Sequence, residues 1–170
     1  MARPISMTSA MAAADVAARF PSSSELEAVS NSLKKAQARL NAAEVLARNA
    51  EELSWNAVKF VFRKFPDAAK TSQFLFNSPP EMESHSFKED VDILLRLLNY
   101  CLLIGNDNPL ESKPLEEIFN QISCVIHEFP EISSSWYIEA LEFLRNNHGL
   151  SGESAAEVSS YINYIIAAFR

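Results

Sequence analysis

Apolar side chains recur every three or four positions along most of this chain, and that is the period of an α-helix. The first long pattern starts after Pro21-Ser22-Ser23-Ser24, a combination that predicts a stop followed by an N-cap. It extends over residues 25–65 and ends at Pro66, so we expect one bent helix or two successive helices. The apolar stripe of its first part consists of Leu26, Val29, Leu33, Ala36, Leu40, Ala43 and Ala47.

Four further helices are predicted in the second half of the chain. Apolar periodicity places them at about 87–104, 112–129, 134–147 and 153–169. A turn after Gly105, then Pro130 and then Gly149 end the first three of them, and Ser135 is a candidate N-cap for the third. The region 67–86 is less regular, with a short helix predicted around 74–76.

Composition narrows the fold class. The chain has 170 residues, enough for one domain, and only three glycines. Because strands joined by tight turns need glycine, this scarcity favours an all-α protein. No apolar run reaches the roughly 18 residues of a membrane span. The net charge of −7 argues against a nucleic-acid partner, since phosphates attract a basic surface.

Signatures of catalysis are missing from the sequence. It has no glycine-rich phosphate loop, no Gly-x-Ser-x-Gly turn and no pair of histidines on one helix face, so we do not expect an enzyme. His148 is expected to bind carbonyl groups at a helix end rather than a metal. Cys101 and Cys124 are both expected to be buried small hydrophobes, with a disulfide or a reactive thiol left open.

Several short motifs follow one another along the chain in an order that is typical of one protein family. They are Ser135-Trp136-Tyr137-Ile138-Glu139-Ala140-Leu141, then 147–152 (Asn-His-Gly-Leu-Ser-Gly), then 161–164 (Tyr-Ile-Asn-Tyr), preceded by Lys64-Phe65-Pro66 and by Arg19-Phe20. This series closely resembles the α subunits of phycobiliproteins, especially phycocyanin and phycoerythrocyanin. The resemblance implies a globin-like all-α fold with an N-terminal two-helix extension. It also implies a single domain over 1–170, with the extension at about 1–47 and the globin-like body at about 48–170.

The resemblance also implies a partner chain. In such proteins the first two helices clasp a β-type subunit, with a reciprocal ion pair that Asp15 and Arg96 match here. Arg96 stands in a run of leucines, and a buried charge needs an acceptor. An intramolecular acceptor or a solvent-facing edge of the helix are the alternatives. Linker proteins of the phycobilisome are further expected partners.

The pigment site implied by the resemblance is altered. Family members attach a bilin to a cysteine, whose position here is Phe87. The arginine that binds a bilin propionate is replaced by Glu89, and a tyrosine of the pocket by Lys113. Asp90, Trp136 and Tyr137 match the family, although a helix cap and core aromatic residues are the alternatives for them. We expect no covalent bilin, while a non-covalent phycobilin stays open.

The expected function is therefore that of an α-type phycobilisome subunit with a structural or assembly role in a light-harvesting antenna. We expect it at the cytoplasmic (stromal) face of the thylakoid membrane, peripheral rather than inserted. One alternative is a light-harvesting subunit with a non-covalent bilin or with pigment only on its β partner. Another is a globin-like sensor or regulatory module that binds an apolar ligand.

Overall fold

The computed structural model describes residues 12, 14–68, 87–105, 110, 113–128 and 132–170. Over these residues the chain is helical and forms no β-strand. Its longer helices are α1 (Ser23–Arg48), α2 (Ala50–Lys64), α3 (Phe87–Ile104), α4 (Lys113–Glu128), α5 (Ser134–Asn147) and α6 (Gly152–Ala168). None of the helices in these ranges combines the length and apolarity that crossing a membrane requires. The short helix predicted around 74–76 lies outside the described residues.

The first long helix begins at a capping box. The hydroxyl of Ser22 accepts a hydrogen bond from the Glu25 amide at 3.3 Å, and the Glu25 carboxylate accepts one from the Ser22 amide at 2.7 Å. Each group satisfies an amide that the helix itself leaves without a partner. The helix ends at Asn49, where α2 follows directly. The predicted N-cap and the prediction of two successive helices are confirmed.

Helix α1 has two apolar faces rather than one. Ala38, Ala42 and Leu46 are buried against the body, whereas Leu26, Leu33 and Leu40 are each more than half exposed, at 56%, 58% and 54%. The predicted stripe combined positions from both faces. We call Leu26, Leu33 and Leu40 the leucine stripe.

Small side chains let α1 approach the body closely. The Ser154 hydroxyl of α6 donates to the Ala38 carbonyl at 3.0 Å, and the Asn99 amide of α3 donates to the Ala43 carbonyl at 2.8 Å. Arg39 forms an ion pair with Glu157 of α6 at 3.5 Å. The second half of α1 therefore packs on the body, while the division of the chain at residue 47 stays a prediction.

Helix α3 runs through the centre of the body and contacts each of the five other helices. Leu94, Leu97 and Leu98 on it are completely buried. Cys101 is also completely buried, as predicted, and burial raises the pKa of its thiol to about 12. The same prediction is wrong for Cys124, which is exposed on the outer face of α4.

The ends of α5 also differ in detail from the prediction. Its N-cap is Ser133 rather than Ser135, and the Ser133 hydroxyl accepts from the Ser135 amide at 3.3 Å. His148 follows its last turn and is buried. The histidine accepts a hydrogen bond on Nδ1 from the Leu150 amide at 3.0 Å, so this nitrogen does not bind a carbonyl group.

Candidate partner-binding surface and the ring cluster around Phe87

Aromatic side chains enclose Phe87 at the start of α3. Its side chain is only 6% exposed. The Phe87 ring centroid lies 5.8 Å from that of Phe62 on α2, 6.4 Å from that of Trp136 and 5.4 Å from that of Tyr137. The contacts with Trp136 and Tyr137 are edge-to-face, a favoured geometry of ring pairs. We call these four residues the ring cluster.

A buried hydrogen bond closes one side of the ring cluster. The Tyr137 hydroxyl donates to the Asp90 carboxylate at 2.7 Å, and Asp90 is 1% exposed. Burial is the main cause that raises the pKa of Tyr137 well above its usual range, and the Asp90 charge and hydrogen bond add to it. The phenol therefore stays a neutral donor, and the carboxylate is bound by the protein itself.

Four of the six residues assigned to the pigment pocket come together in this way: Phe87, Asp90, Trp136 and Tyr137. Glu89 is exposed and lines a different surface, described next, because consecutive helical residues point about 100° apart. Lys113 is exposed in the first turn of α4. Asp90 lies in the first turn of α3, and Trp136 and Tyr137 belong to the hydrophobic core.

The second feature is a groove of about 880 Å³ between α3 and the junction of α1 with α2. We call it the α3 groove. Its apolar lining comes from Leu46, Ala47, Ala50, Ile93 and Leu95, and its polar lining from Glu51, Glu89, Asp92, Arg96, Asn99 and Tyr100. The groove follows α3 for three turns, so its shape suits an elongated element of a partner.

Arg96 lies on the wall of the α3 groove and is exposed. Its leucine neighbours point into the core, so the arginine occupies the solvent-facing edge of its helix. In the chain by itself the charge is therefore not buried. Within the described ranges Arg96 has neither a hydrogen bond nor an ion pair, and the same is true of the exposed carboxylate of Asp15. The two are not paired with each other.

Two acidic residues of the groove share one lysine. The Lys88 ammonium lies 2.6 Å from the Asp92 carboxylate and 3.0 Å from that of Glu51, and 5.8 Å from the Trp55 ring centroid. The hydrogen bond to Asp92 is the main cause that raises the pKa of Lys88. These contacts join α2 to α3 at the groove's edge, and neither of them involves Arg96.

Exposed apolar side chains continue from the groove. Tyr100, Leu103 and Ile104 at the end of α3 are 44%, 54% and 51% exposed. The hydrogen bond from Asn99 to the Ala43 carbonyl holds this end beside α1, which carries the leucine stripe. Exposed apolar side chains that lie close together are a common feature of protein interaction sites.

Sequence reasoning missed part of this arrangement. Phe62 supplies one wall of the ring cluster, but the sequence analysis did not single it out. The apolar stripe of this helix was assigned to its neighbours Val61 and Phe65. The contact of Phe62 with Phe87 joins helices that are far apart in sequence. No signal within a single helix reveals such a contact.

Comparison with known proteins identifies the class. The profile of the phycobilisome protein family matches residues 9–169. The phycoerythrocyanin alpha chain of Nostoc sp. is 35% identical over 162 residues, covering 95% of this chain and 96% of that protein. The C-phycoerythrin alpha chain of Synechocystis sp. is 32% identical, covering 94% and 95% respectively. The B-phycoerythrin alpha chain of Rhodella violacea is 30% identical, covering 95% and 96%.

The chain therefore belongs to the phycobilisome protein family. The predicted resemblance to α subunits, the all-α globin-like fold and the class of light-harvesting phycobiliprotein subunit are confirmed. Members of this family bind bilin chromophores, generally through a cysteine, and their α chains pair with β chains in phycobilisomes peripheral to the thylakoid membrane.

Proposed function

We propose that this chain is an α-type phycobilisome subunit that pairs with a β-type subunit and carries no covalent bilin. Its role is structural: it contributes a docking surface to the antenna rather than a pigment. The observation that carries the proposal is the position of Phe87 in the ring cluster, where the resemblance assigns the pigment-bearing cysteine.

The contacts of Phe87 and Asp90 support the loss of the covalent pigment. The Phe87 side chain cannot form a thioether, and its ring packs against Phe62, Trp136 and Tyr137. Asp90, which the resemblance assigns to the pyrrole nitrogens, accepts the Tyr137 hydroxyl instead. Burying a phenylalanine ring contributes about 1.5–3 kcal/mol to stability, so the occupied pocket favours the pigment-free form.

The pairing is supported by charge and by apolar surface. Arg96 has no acid partner in the described chain and lines a groove long enough for a helix. Asp15 is likewise exposed and can accept an arginine from the partner. The leucine stripe, with Tyr100 and Leu103, supplies the apolar area that a stable pair buries. Charge then sets the register, and apolar burial supplies most of the affinity.

The place of the subunit follows from the pairing. As one half of a pair it enters the antenna from the cytoplasmic (stromal) side of the thylakoid and remains peripheral. Linker proteins make further contacts with the assembled pairs. No catalytic step is part of this role.

Co-expression with a β-type subunit in bilin-producing cells tests the proposal. The β subunit that accompanies the Nostoc sp. phycoerythrocyanin alpha chain is a suitable probe. We expect a stable pair on gel filtration and, after separation in acid urea, visible absorbance only in the β chain. A band that stays with this chain in acid urea would contradict the proposal. A band present in the native chain but lost in acid urea would support a non-covalent bilin instead.

A further inference from the structure

Residues 14–20, which precede α1, form a tight turn that we call the elbow. Asp15 lies on a short helical segment at 14–16. The Ala18 amide donates to the Asp15 carbonyl at 2.9 Å, and the Arg19 amide donates to the Ala14 carbonyl at 3.0 Å. These two bonds are those of a Schellman motif, which ends a helix with one residue in the left-handed conformation.

Ala18 occupies that left-handed position. Its φ is +48°, and it is the one residue other than glycine with a positive φ in the described ranges. A Cβ disfavours this conformation, which is why glycine usually takes it. The backbone at Ala18 therefore does not hold the elbow by its own preference, so other contacts must stabilise it.

The ion pair between Arg19 and Glu25, which we call the clamp, supplies such contacts. The two terminal nitrogens of Arg19 donate to the two carboxylate oxygens of Glu25 at 2.8 and 2.9 Å. Glu25 also accepts from the amide and the hydroxyl of Ser22, both at 2.7 Å. The hydrogen bond from Arg19 is the main cause that holds the pKa of Glu25 well below its usual range, and the bonds from Ser22 add to it. One carboxylate thus joins the elbow, the N-cap and the first turn of α1.

Apolar packing contributes little to the stability of the elbow. Val16 and Phe20, which flank the turn, are 89% and 93% exposed, and within 14–20 only Ala14 is buried. Exposed ion pairs contribute little on average, but bidentate arginine–carboxylate pairs within a network are the exception.

We propose that the Arg19–Glu25 clamp is a positioning device that presents Asp15 to the partner subunit in a preformed orientation. This inference rests on the proposed pairing with a β-type subunit. A preformed elbow has less conformational freedom to lose on binding, so the clamp strengthens association without touching the partner.

A double-mutant cycle tests the inference, with the Nostoc sp. β subunit as the probe and calorimetric titration as the readout. The variants are Glu25→Gln, Asp15→Asn and the double variant. Gln at position 25 keeps the side-chain length and can still complete a capping box, so it removes mainly the ionic bond. The matched control is Glu44→Gln, which breaks the 2.7 Å pair with Arg48 on the same helix.

We expect Glu25→Gln to weaken binding about threefold to tenfold. This is the loss expected when one or two more side chains have to be ordered on association. The urea midpoint of the chain alone should stay unchanged, and Glu44→Gln should bind like the wild type. The double variant should bind no more weakly than Asp15→Asn, because a clamp that acts through Asp15 has nothing left to position.

Two results would overturn the inference, and they differ in meaning. If Asp15→Asn weakens binding while Glu25→Gln does not, or if the two losses add, the clamp does not act through Asp15 and the proposed pairing stands. If Asp15→Asn has no effect, the clamp has no contact to position, and the Asp15 contact of the proposed pairing fails with it.

Discussion

The Tyr137 hydroxyl binds the Asp90 carboxylate at 2.7 Å, beside the ring of Phe87. This bond connects the first turn of α3 to α5 inside the core. Tyr137 also stacks on Phe169 near the end of the chain, with ring centroids 5.8 Å apart and planes at 8°. The region assigned to a pigment is thus an integrated part of the hydrophobic core.

Removing the Tyr137 hydroxyl tests whether this bond stabilises the core. Tyr137→Phe leaves the buried carboxylate of Asp90 without one donor, so we expect a loss of about 1–3 kcal/mol in the free energy of unfolding. Urea unfolding measures it. Tyr100→Phe is the matched control, because Tyr100 is 44% exposed and should lose almost nothing. Equal losses in the two variants would contradict the role of the bond.

Restoring a thiol at the family position tests how far the pocket has changed. We expect Phe87→Cys to attach little bilin in bilin-producing cells, because Phe62 still walls the site and Asp90 still binds Tyr137. Absorbance of the chain in acid urea measures the attachment. Stoichiometric attachment after this single substitution would show that the pocket remains competent.

Arg96 is expected to decide the pairing. In the proposed pairing, Arg96→Glu places an acid opposite an acid of the partner, so we expect at least about tenfold weaker association with the β subunit. Circular dichroism should show unchanged helicity, since Arg96 is exposed in the isolated chain. Arg48→Glu is the control, because Arg48 is an exposed residue of α1 outside the α3 groove. Unchanged elution of the Arg96→Glu pair on gel filtration would count against the docking surface.

The two apolar faces of α1 should respond differently to the same change. Leu33→Gln on the leucine stripe should alter the free energy of unfolding by about 0.5 kcal/mol or less, but weaken partner binding about tenfold. Leu46→Gln, at a site only 2% exposed, should cost more than about 2 kcal/mol of stability. Urea unfolding and calorimetric titration separate the two effects. A stability loss at Leu33 as large as at Leu46 would mean that the stripe packs inward.

His148 should make stability depend on pH. Burial lowers its pKa in the folded chain, so the unfolded chain takes up the proton at a higher pH, near the ordinary value of about 6.5. The neutral, buried His148 therefore contributes its full stability above about pH 6.5, and the free energy of unfolding declines as the pH falls below that value. His148→Gln should therefore lose less stability than the wild type between about pH 7.5 and 5.5. Parallel slopes for His148→Gln and the wild type would contradict this assignment.

Much of the fold could be predicted from local signals. The apolar period placed α3 at its observed bounds, Phe87–Ile104, and the serines after Pro21 identified the cap of α1. Such features depend on neighbours within one turn. Cys124 was misplaced because α4 is amphipathic and this position lies on its outer face, whereas Ile122 two residues earlier is buried.

The candidate site was less accessible to such reasoning. The resemblance brought together Phe87, Asp90, Trp136 and Tyr137, but it could not reveal that Glu89 faces the α3 groove. The clamp between Arg19 and Glu25 was missed altogether. An arginine and a glutamate six residues apart are unremarkable until the left-handed backbone at Ala18 turns them toward each other.

We propose that Phe87 takes the place of the pigment-bearing cysteine in an antenna subunit. The mass of the intact chain, purified with its β partner from bilin-producing cells and separated under denaturing conditions, tests it most directly. We expect the mass of the unmodified polypeptide. A mass increased by that of one tetrapyrrole would contradict the account.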